Sequence, residues 1–450
     1  MNKIYLAAIA AVLAGGSASA QTGYQITTSE EAMNYGGQQA MAISANGAYI
    51  VGQSYNWETF VYTVASRQNR YFTIADGSKF EMGSAVLNAV SDNGIAVGFD
   101  DNGAIIVDIV KDTYTVFEKA SRDYPYIDAN DITPDGTLIV GGRSNSTFYP
   151  TPCYWIDGTR YDLPYPTTTE AGFTVYGASA YFVSDDGSII IGTLLNGLDP
   201  YPMIIWKRGD DGTYAYTDTY KRFYEPKQDL VWGPDMIPSG VDRGPNPFIR
   251  FSPGALTSDG KYVAMAVIPN TEEIFPPRQL AYFNIEEETV ELVPVNPDDL
   301  ITFYEYQFSI GGISDDLTIV GSAGEMGANF VPFILYHDDM EVQKLADVFP
   351  TVPVIQDFDD YNTIEQMWEL ATDITPDGRY IIGYIADPDN YAGLSFLLDT
   401  EAEEDGVGTL RPDAEAGEPV FYGVDGRRVD NPDRGIYVKI QGGKAEKVIL

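Results

Sequence analysis

The chain has 450 residues, with 27 Lys and Arg against 66 Asp and Glu and a formal charge of −39 at pH 7. That charge repels phosphate backbones and anionic lipid surfaces, and so disfavours both nucleic acid and such membrane surfaces as partners. Its single cysteine, Cys153, leaves no intrachain disulfide, and its single histidine, His337, rules out multi-histidine zinc sites.

Residues 1–20 read as a secretory signal. Lys3 supplies the positive start, IYLAAIAAVLAGG (4–16) a short apolar core, and Ala18-Ser19-Ala20 a small-x-small cleavage pattern ahead of Gln21. No later segment is apolar for long enough to cross a membrane, so the expectation is an exported protein at the cell surface, outside the cell or in the periplasm. YQITTS (24–29) is an extended stretch with no partner nearby in the sequence.

From residue 42 onward one short pattern recurs seven times: AISANGAYIVG (42–52), AVSDNGIAVG (89–98), DITPDGTLIVG (131–141), FVSDDGSIIIG (182–192), ALTSDGKYVAM (255–265), GISDDLTIVG (312–321) and DITPDGRYIIG (373–383). Each begins extended, turns at Asp/Asn-Gly and continues in an Ile/Val-rich run. The turn glycines are Gly47, Gly94, Gly136, Gly187, Gly260 and Gly378, needed because such a hairpin requires positive φ. Leu317 holds that place in the sixth copy, where a different turn is expected.

A third apolar strand follows each copy, among them ETFVYTV (58–64), PCYWID (152–157), VPFILYH (331–337) and LSFLLD (394–399). Most copies show a fourth, such as TYTVF (113–117) or TRYDLP (159–164). Four short strands with their turns need roughly 40–45 residues, the length of a propeller blade. The marks at 47, 94, 136, 187, 260, 317 and 378 stand 42 to 73 residues apart. The fold predicted is therefore all-β: a seven-bladed β-propeller of four-stranded antiparallel blades over 21–399. No fourth strand is visible for blade seven, so YQITTS is expected to close the ring on LSFLLD.

Cys153 lies in an apolar strand and reads as a buried small hydrophobe rather than a reactive thiol. His337, at a strand end beside two acids, reads as an ordinary turn residue. Two insertions offer candidate sites. The longer, 213–251, concentrates aromatic and basic residues in an acidic chain. Tyr220, Tyr224, Trp232, Arg243 and Arg250 are its candidate ligand-binding residues, for stacking on a sugar or for a protein contact. The competing reading is that its aromatics pack the insertion onto the ring. The second, 353–370, carries Asp357, Asp359 and Asp360 ahead of a short helix expected around 362–370. Three hard oxygen donors suit Ca²⁺, but no D-x-D-x-D-G loop exists, and solvated surface acids are the favoured reading. No other cofactor is implied and no catalytic residue stands out: there is no G-x-S-x-G elbow, and 66 acids single out no glycosidase pair.

The chain then passes through an acidic linker, 400–418, into a C-terminal β-hairpin module, 419–450, with basic residues at Arg427, Arg428, Arg434, Lys439, Lys444 and Lys447.

With its S-x-D-G-x-x-I-V-G pattern followed by a P-x-x-W or P-F-x-L strand, the repeat resembles the extracellular HAF-type repeats and the PD40 repeats of TolB-like propellers. Asp boxes of sialidases differ by placing a residue between Asp and Gly. The tail, through Gly426-Arg427-Arg428-Val429 and Gly435-Ile436-Tyr437-Val438-Lys439, resembles the last part of type IX sorting domains of secreted Bacteroidota proteins. That resemblance implies outer-membrane export and surface attachment. The repeat resemblance implies architecture, not activity.

Three functions stay open on the sequence: a monomeric, non-enzymatic propeller binding a glycan, peptide or protein; a polysaccharide hydrolase or lyase using Asp/Glu at the channel mouth; and a structural envelope protein. Two buried carboxyls beside exposed aromatics would favour catalysis, and an apolar plug would favour binding or scaffolding.

Overall fold

The computed structural model describes residues 22–27, 37–54, 58–72, 85–168, 174–195, 202–217, 220–223, 246–271, 278–294, 306–325, 330–350, 352, 368–386 and 393–401, with the backbone of 420–422, 428–429, 436–441 and 444–449. Gly23–Leu398 form one compact unit, and the C-terminal strands belong to another.

The first unit is a seven-bladed propeller. Blades 1 to 5 span 38–72, 86–119, 126–162, 177–217 and 248–292, each a separate four-stranded antiparallel meander. Blade 6 (306–344) has the same order and is joined to blade 7 by the single parallel pairing of Phe330 with Trp368. Blade 7 takes three strands from 368–399, and Thr22–Gln25 lies beside Gly393–Asp399 as its fourth. Ile26 N–H donates to Ser395 O at 2.8 Å, and the Ser395 N–H returns to Thr27 Oγ1 at 2.8 Å. The first and last parts of the ring are thus clasped in one sheet, as the unpartnered N-terminal stretch predicts.

One signature builds all seven inner hairpins. The Ser or Thr that opens the turn donates its hydroxyl to the Asp or Asn two residues on. This occurs as Ser44–Asn46, Ser91–Asn93, Thr133–Asp135, Ser184–Asp186, Thr257–Asp259, Ser314–Asp316 and Thr375–Asp377. The next residue takes a left-handed φ, from +67° to +83° at the six turn glycines. Leu317 also takes φ +67°, with its N–H on Ser314 O at 3.0 Å, so the sixth turn is the same turn and not a different one. Its bracing by Ser314 and Asp316 and its packing in the interface of blades 5 and 6 offset the strain. The glycine that closes six of the motifs has a separate cause. In blade 3 a Cβ on Gly141 would lie 2.0 Å from Asp128 O on the neighbouring strand.

The core lies between blades, not within them. Seven apolar clusters correspond to the seven blade interfaces, including the one that joins Ile382 and Leu397 of blade 7 to Ile50 and Phe60 of blade 1. A single twisted sheet exposes two apolar faces, and each neighbour covers one. The tryptophans of third strands add polar ties: Trp155 Nε1 donates to Glu118 of blade 2, and Trp206 Nε1 to Pro164 O at 2.6 Å. Cys153 is fully buried and its thiol pKa is pushed up by desolvation, first, and by nearby acids, consistent with a packing residue.

The C-terminal unit contains a four-stranded antiparallel sheet in the order Arg428–Val429, Val420–Tyr422, Ile436–Gln441, Lys444–Ile449, so the expected hairpin is two strands of a larger sheet. Among the described residues no helix is long and apolar enough to cross a membrane.

Candidate functional site

The first strand of each blade carries a β-bulge at one equivalent place. The extra residues are Met41, Asn88, Asn130, Tyr181, Gly254, Gly311 and Thr372. A bulge twists a strand and re-aims its side chains. Residues at and just after these bulges, from all seven blades, line one cavity of about 250 Å³, the central channel. Three bulge side chains span to the next blade: Asn88 to Ala129 O (2.9 Å), Asn130 to Ala180 O (2.7 Å) and Thr372 to Ala40 O (2.8 Å).

Asp131 and Asp373 follow the bulge in blades 3 and 7. Asp131 accepts the N–H of Ile132 and that of Val183 in blade 4, both at 2.8 Å. Asp373 accepts Ile374 N–H at 2.8 Å and Ile43 N–H of blade 1 at 3.0 Å. Each carboxylate therefore uses one oxygen on its own blade and one on the next. Desolvation in the channel wall outweighs these bonds and raises both pKa values to about 7. The Asp131 charge adds to the rise at Asp373, and the Asp185 charge to that at Asp131.

The turns form the mouth on one face, a space of about 490 Å³ bounded by Ala45, Asn46, Asp92, Asp185, Ser258, Asp315, Asp316, Pro376 and Asp377. The residue before each turn Asp/Asn reads, round the ring, Ala45, Asp92, Pro134, Asp185, Ser258, Asp315, Pro376. Turns knit to their neighbours: Asp92 N–H to Pro134 O (2.9 Å), Asp185 N–H to Ser258 O (2.9 Å) and Asp315 N–H to Pro376 O (2.8 Å). The Asp92 carboxylate takes Asn46 N–H at 2.8 Å, and Asp315 takes the Ser258 hydroxyl at 2.7 Å. Behind Asp185 stands Pro134, which has no N–H to give. Desolvation, with the charges of Asp315, Asp92, Asp186 and Asp259, lifts its pKa to about 6.

Of the ligand-binding residues expected from the sequence, Tyr220 opens a single helical turn, Tyr220–Phe223, and Arg250 lies within the first strand of blade 5 opposite Ile268. Tyr224, Trp232 and Arg243 lie outside the described residues, as do Asp357, Asp359 and Asp360. The insertion is shorter than its composition suggests, because Tyr214–Thr217 is the fourth strand of blade 4. Phe223 stacks on Phe251 (5.4 Å, 8°) and meets Phe283 edge-on, so this aromatic packs the insertion onto the ring. Residues 368–370, expected in a short helix, begin the first strand of blade 7. His337 sits against the Tyr282 ring with Nε2 3.1 Å from Glu291. Among the described residues no group of three His, Cys, Asp or Glu side chains is arranged to hold a metal ion.

The carboxyl pair Asp131 and Asp373 opens two of the repeat copies but escapes a reading by turn motif, because each stands two residues before the Thr that begins the turn. Its signal is the match of ANDITPDG (129–136) and ATDITPDG (371–378), whose shared Asp has no turn to brace.

No protein-family model matches the chain, and no curated protein matches it. Solved structures similar to it include TolB from Acinetobacter baumannii, at 13% identity and TM-score 0.38 over 70% of this chain; the chain spans 65% of that protein's length. Oligogalacturonate lyase from Vibrio parahaemolyticus is similar at 11% identity and TM-score 0.48, over 84% of this chain and 97% of that one. U3-55K is similar at 8% identity and TM-score 0.45, over 84% and 98%.

Proposed function

We propose that the protein is an exported, non-enzymatic propeller that binds a partner ligand, with residues 21–399 as the binding ring, 400–418 as a linker and 419–450 as a terminal module for surface attachment. The observation that carries the reading is the engagement of Asp131 and Asp373. Both oxygens of each carboxyl in the channel wall hold backbone N–H groups of two blades, so the pair best placed for acid–base work is committed to architecture. The signal-like residues 1–20 and the sorting-like tail support export and attachment.

One observation favours a second reading. Asp185 stands at the mouth with a pKa raised to about 6, the condition of a general acid or base near neutral pH. The two readings part in one experiment. The protein is incubated with a panel of neutral and acidic polysaccharides, and reducing ends and unsaturated products are followed beside retention in affinity gels. The binding reading predicts retention without product. Product formation by the protein, abolished in Asp185→Asn, would replace it with the catalytic one.

A further inference from the structure

On the face opposite the mouth, where first strands begin and second strands end, four aromatic rings stand in solvent. Tyr126 stacks on Phe148 at 5.0 Å and 20°, and Tyr149 stacks on Tyr176 at 5.0 Å and 18°. Phe148 and Tyr149 are consecutive, so the pairs adjoin and run from blade 3 to blade 4. Relative exposures are 46% for Tyr126, 65% for Phe148, 40% for Tyr149 and 43% for Tyr176. A ring stacked on a partner has one covered face, and exposures of 40–65% leave much of the remaining surface of each residue to solvent. Exposed large apolar side chains held next to each other are the feature of a surface that calls for explanation.

The row is braced by hydrogen bonds within its loop. The loop Asn145–Phe148 copies the mouth turns: Asn145 Oδ1 accepts Thr147 N–H (2.9 Å) and Tyr149 N–H (3.0 Å), and Phe148 N–H reaches Asn145 O at 2.9 Å. Phe148 occupies the position that glycine fills in six of the seven mouth turns, at φ +62°. A bulky side chain there is strained, and nothing in the turn requires it. What the substitution supplies is the ring. On blade 4, a Cβ at Gly177 would lie 2.2 Å from Pro150 O, so its absence lets the strand approach and bring Tyr176 onto Tyr149. Tyr176 N–H is tied to Leu195 O at 2.7 Å.

We propose that this row binds an uncharged oligosaccharide across at least two adjacent sugar rings. The inference rests on the binding reading above and names its ligand class. A pyranose presents a flat patch of C–H bonds that packs on an open aromatic face, while its hydroxyls point outward to water and to the tyrosine hydroxyls at the rim. Two adjoining stacked pairs offer at least one such surface each. Few rotatable bonds and a fixed loop keep the ordering cost of binding low. The chain's charge of −39 selects against uronic acids, sulfated sugars and nucleic acid bases carried on phosphate. A proline-rich peptide wants a groove between upright rings, whereas these rings lie face to face in pairs.

The test is calorimetric titration of the full chain and of Phe148→Gly with neutral hexasaccharides of glucose, xylose, mannose and N-acetylglucosamine. Hexagalacturonate and decaproline serve as comparators. Glycine relaxes the left-handed backbone, so the variant is expected to melt no lower than the parent. The expected result is binding of at least one neutral hexasaccharide, weakened about tenfold or more in Phe148→Gly, with hexagalacturonate weaker than the neutral sugar. Tyr176→Ala is expected to weaken it in the same direction. Equal affinity of Phe148→Gly and parent overturns the inference, as does binding of decaproline with no neutral sugar bound. Cleavage of a bound hexasaccharide would overturn the non-enzymatic reading instead, and is scored separately by product analysis.

Discussion

Replacing Asp373 with alanine removes one of the side chains that tie the last blade to the first. Two backbone donors lose their acceptor, Ile374 N–H at 2.8 Å and Ile43 N–H at 3.0 Å. A buried donor left unsatisfied costs about 1–3 kcal/mol. Two features pull the figure to the lower end. Asp373 is half-buried, so water can reach part of the vacated space. Ala42, Ala89 and Ala255 occupy the equivalent position in blades 1, 2 and 5, which shows that the ring tolerates a small side chain there. The expected loss for Asp373→Ala is therefore about 2–3 kcal/mol, with a similar value for Asp131→Ala between blades 3 and 4. Asp373→Asn keeps one acceptor but turns an amide donor toward the second N–H, so its loss is expected at about 1–2 kcal/mol. Urea denaturation at pH 8, where both carboxyls are ionised and accept with both oxygens, followed by the fluorescence of the buried Trp155 and Trp206, measures all three. A loss below about 0.5 kcal/mol in both alanine variants would mean that these carboxyls are not clasps. They would then be free for chemistry, and the non-enzymatic reading would lose its main support.

Other consequences can be measured with equal directness. Asp131 and Asp373 have folded pKa values of about 7 and Asp128 of about 6, all raised by burial above the ordinary carboxylate value, so between about pH 4 and 7 the native state holds more protons than the unfolded chain. Their stabilising contribution is full below the unfolded value and is lost as pH rises through the folded one. Urea stability at pH 5 should therefore exceed that at pH 8 by about 1 kcal/mol or more, and a flat or rising profile over that range would refute the assignment. The adjacent glycines 141 and 142 should behave differently: Gly141→Ala forces a Cβ to 2.0 Å from Asp128 O and is expected to cost about 1–3 kcal/mol. Gly142→Ala meets nothing nearer than 3.7 Å and should lie within about 0.5 kcal/mol of the parent. Equal losses in the two would show that the closing glycine is not set by the neighbouring strand.

The turn signature was the legible part of the fold because its chemistry is local: a hydroxyl, a carboxyl or amide and a positive-φ residue within four positions make the hairpin wherever they occur. Closure by the N-terminal strand was legible too, since an extended segment without neighbours matched a blade short of one strand. Leu317 misleads because the bracing by Ser314 and Asp316 keeps the turn in place without glycine. The bulges were invisible, for a bulge is a register event between two strands and leaves no composition mark on either. The inter-blade role of Asp131 and Asp373 depends on which strand lies alongside, and blade 1 meets blade 7 only when the ring closes. The aromatic row is distributed over Tyr126, Phe148, Tyr149 and Tyr176, on one strand start and two loops, and only the stacking of two blades assembles it. The composition of 213–251 gathers aromatics near one another in sequence, whereas Phe223 packs inward on Phe251.

The ring itself, with its seven interfaces and one clasp, is tested most directly by native-state hydrogen exchange on the full chain. Peptides 22–27 and 393–399, which carry the bonds of Ile26 and Ser395, should exchange as slowly as the blade interiors at 138–144 and 262–269, because all share one cooperative circle of interfaces. Rapid exchange confined to 22–27 and 393–399, with the other blades still protected, would mean that the first and last blades are not joined as described.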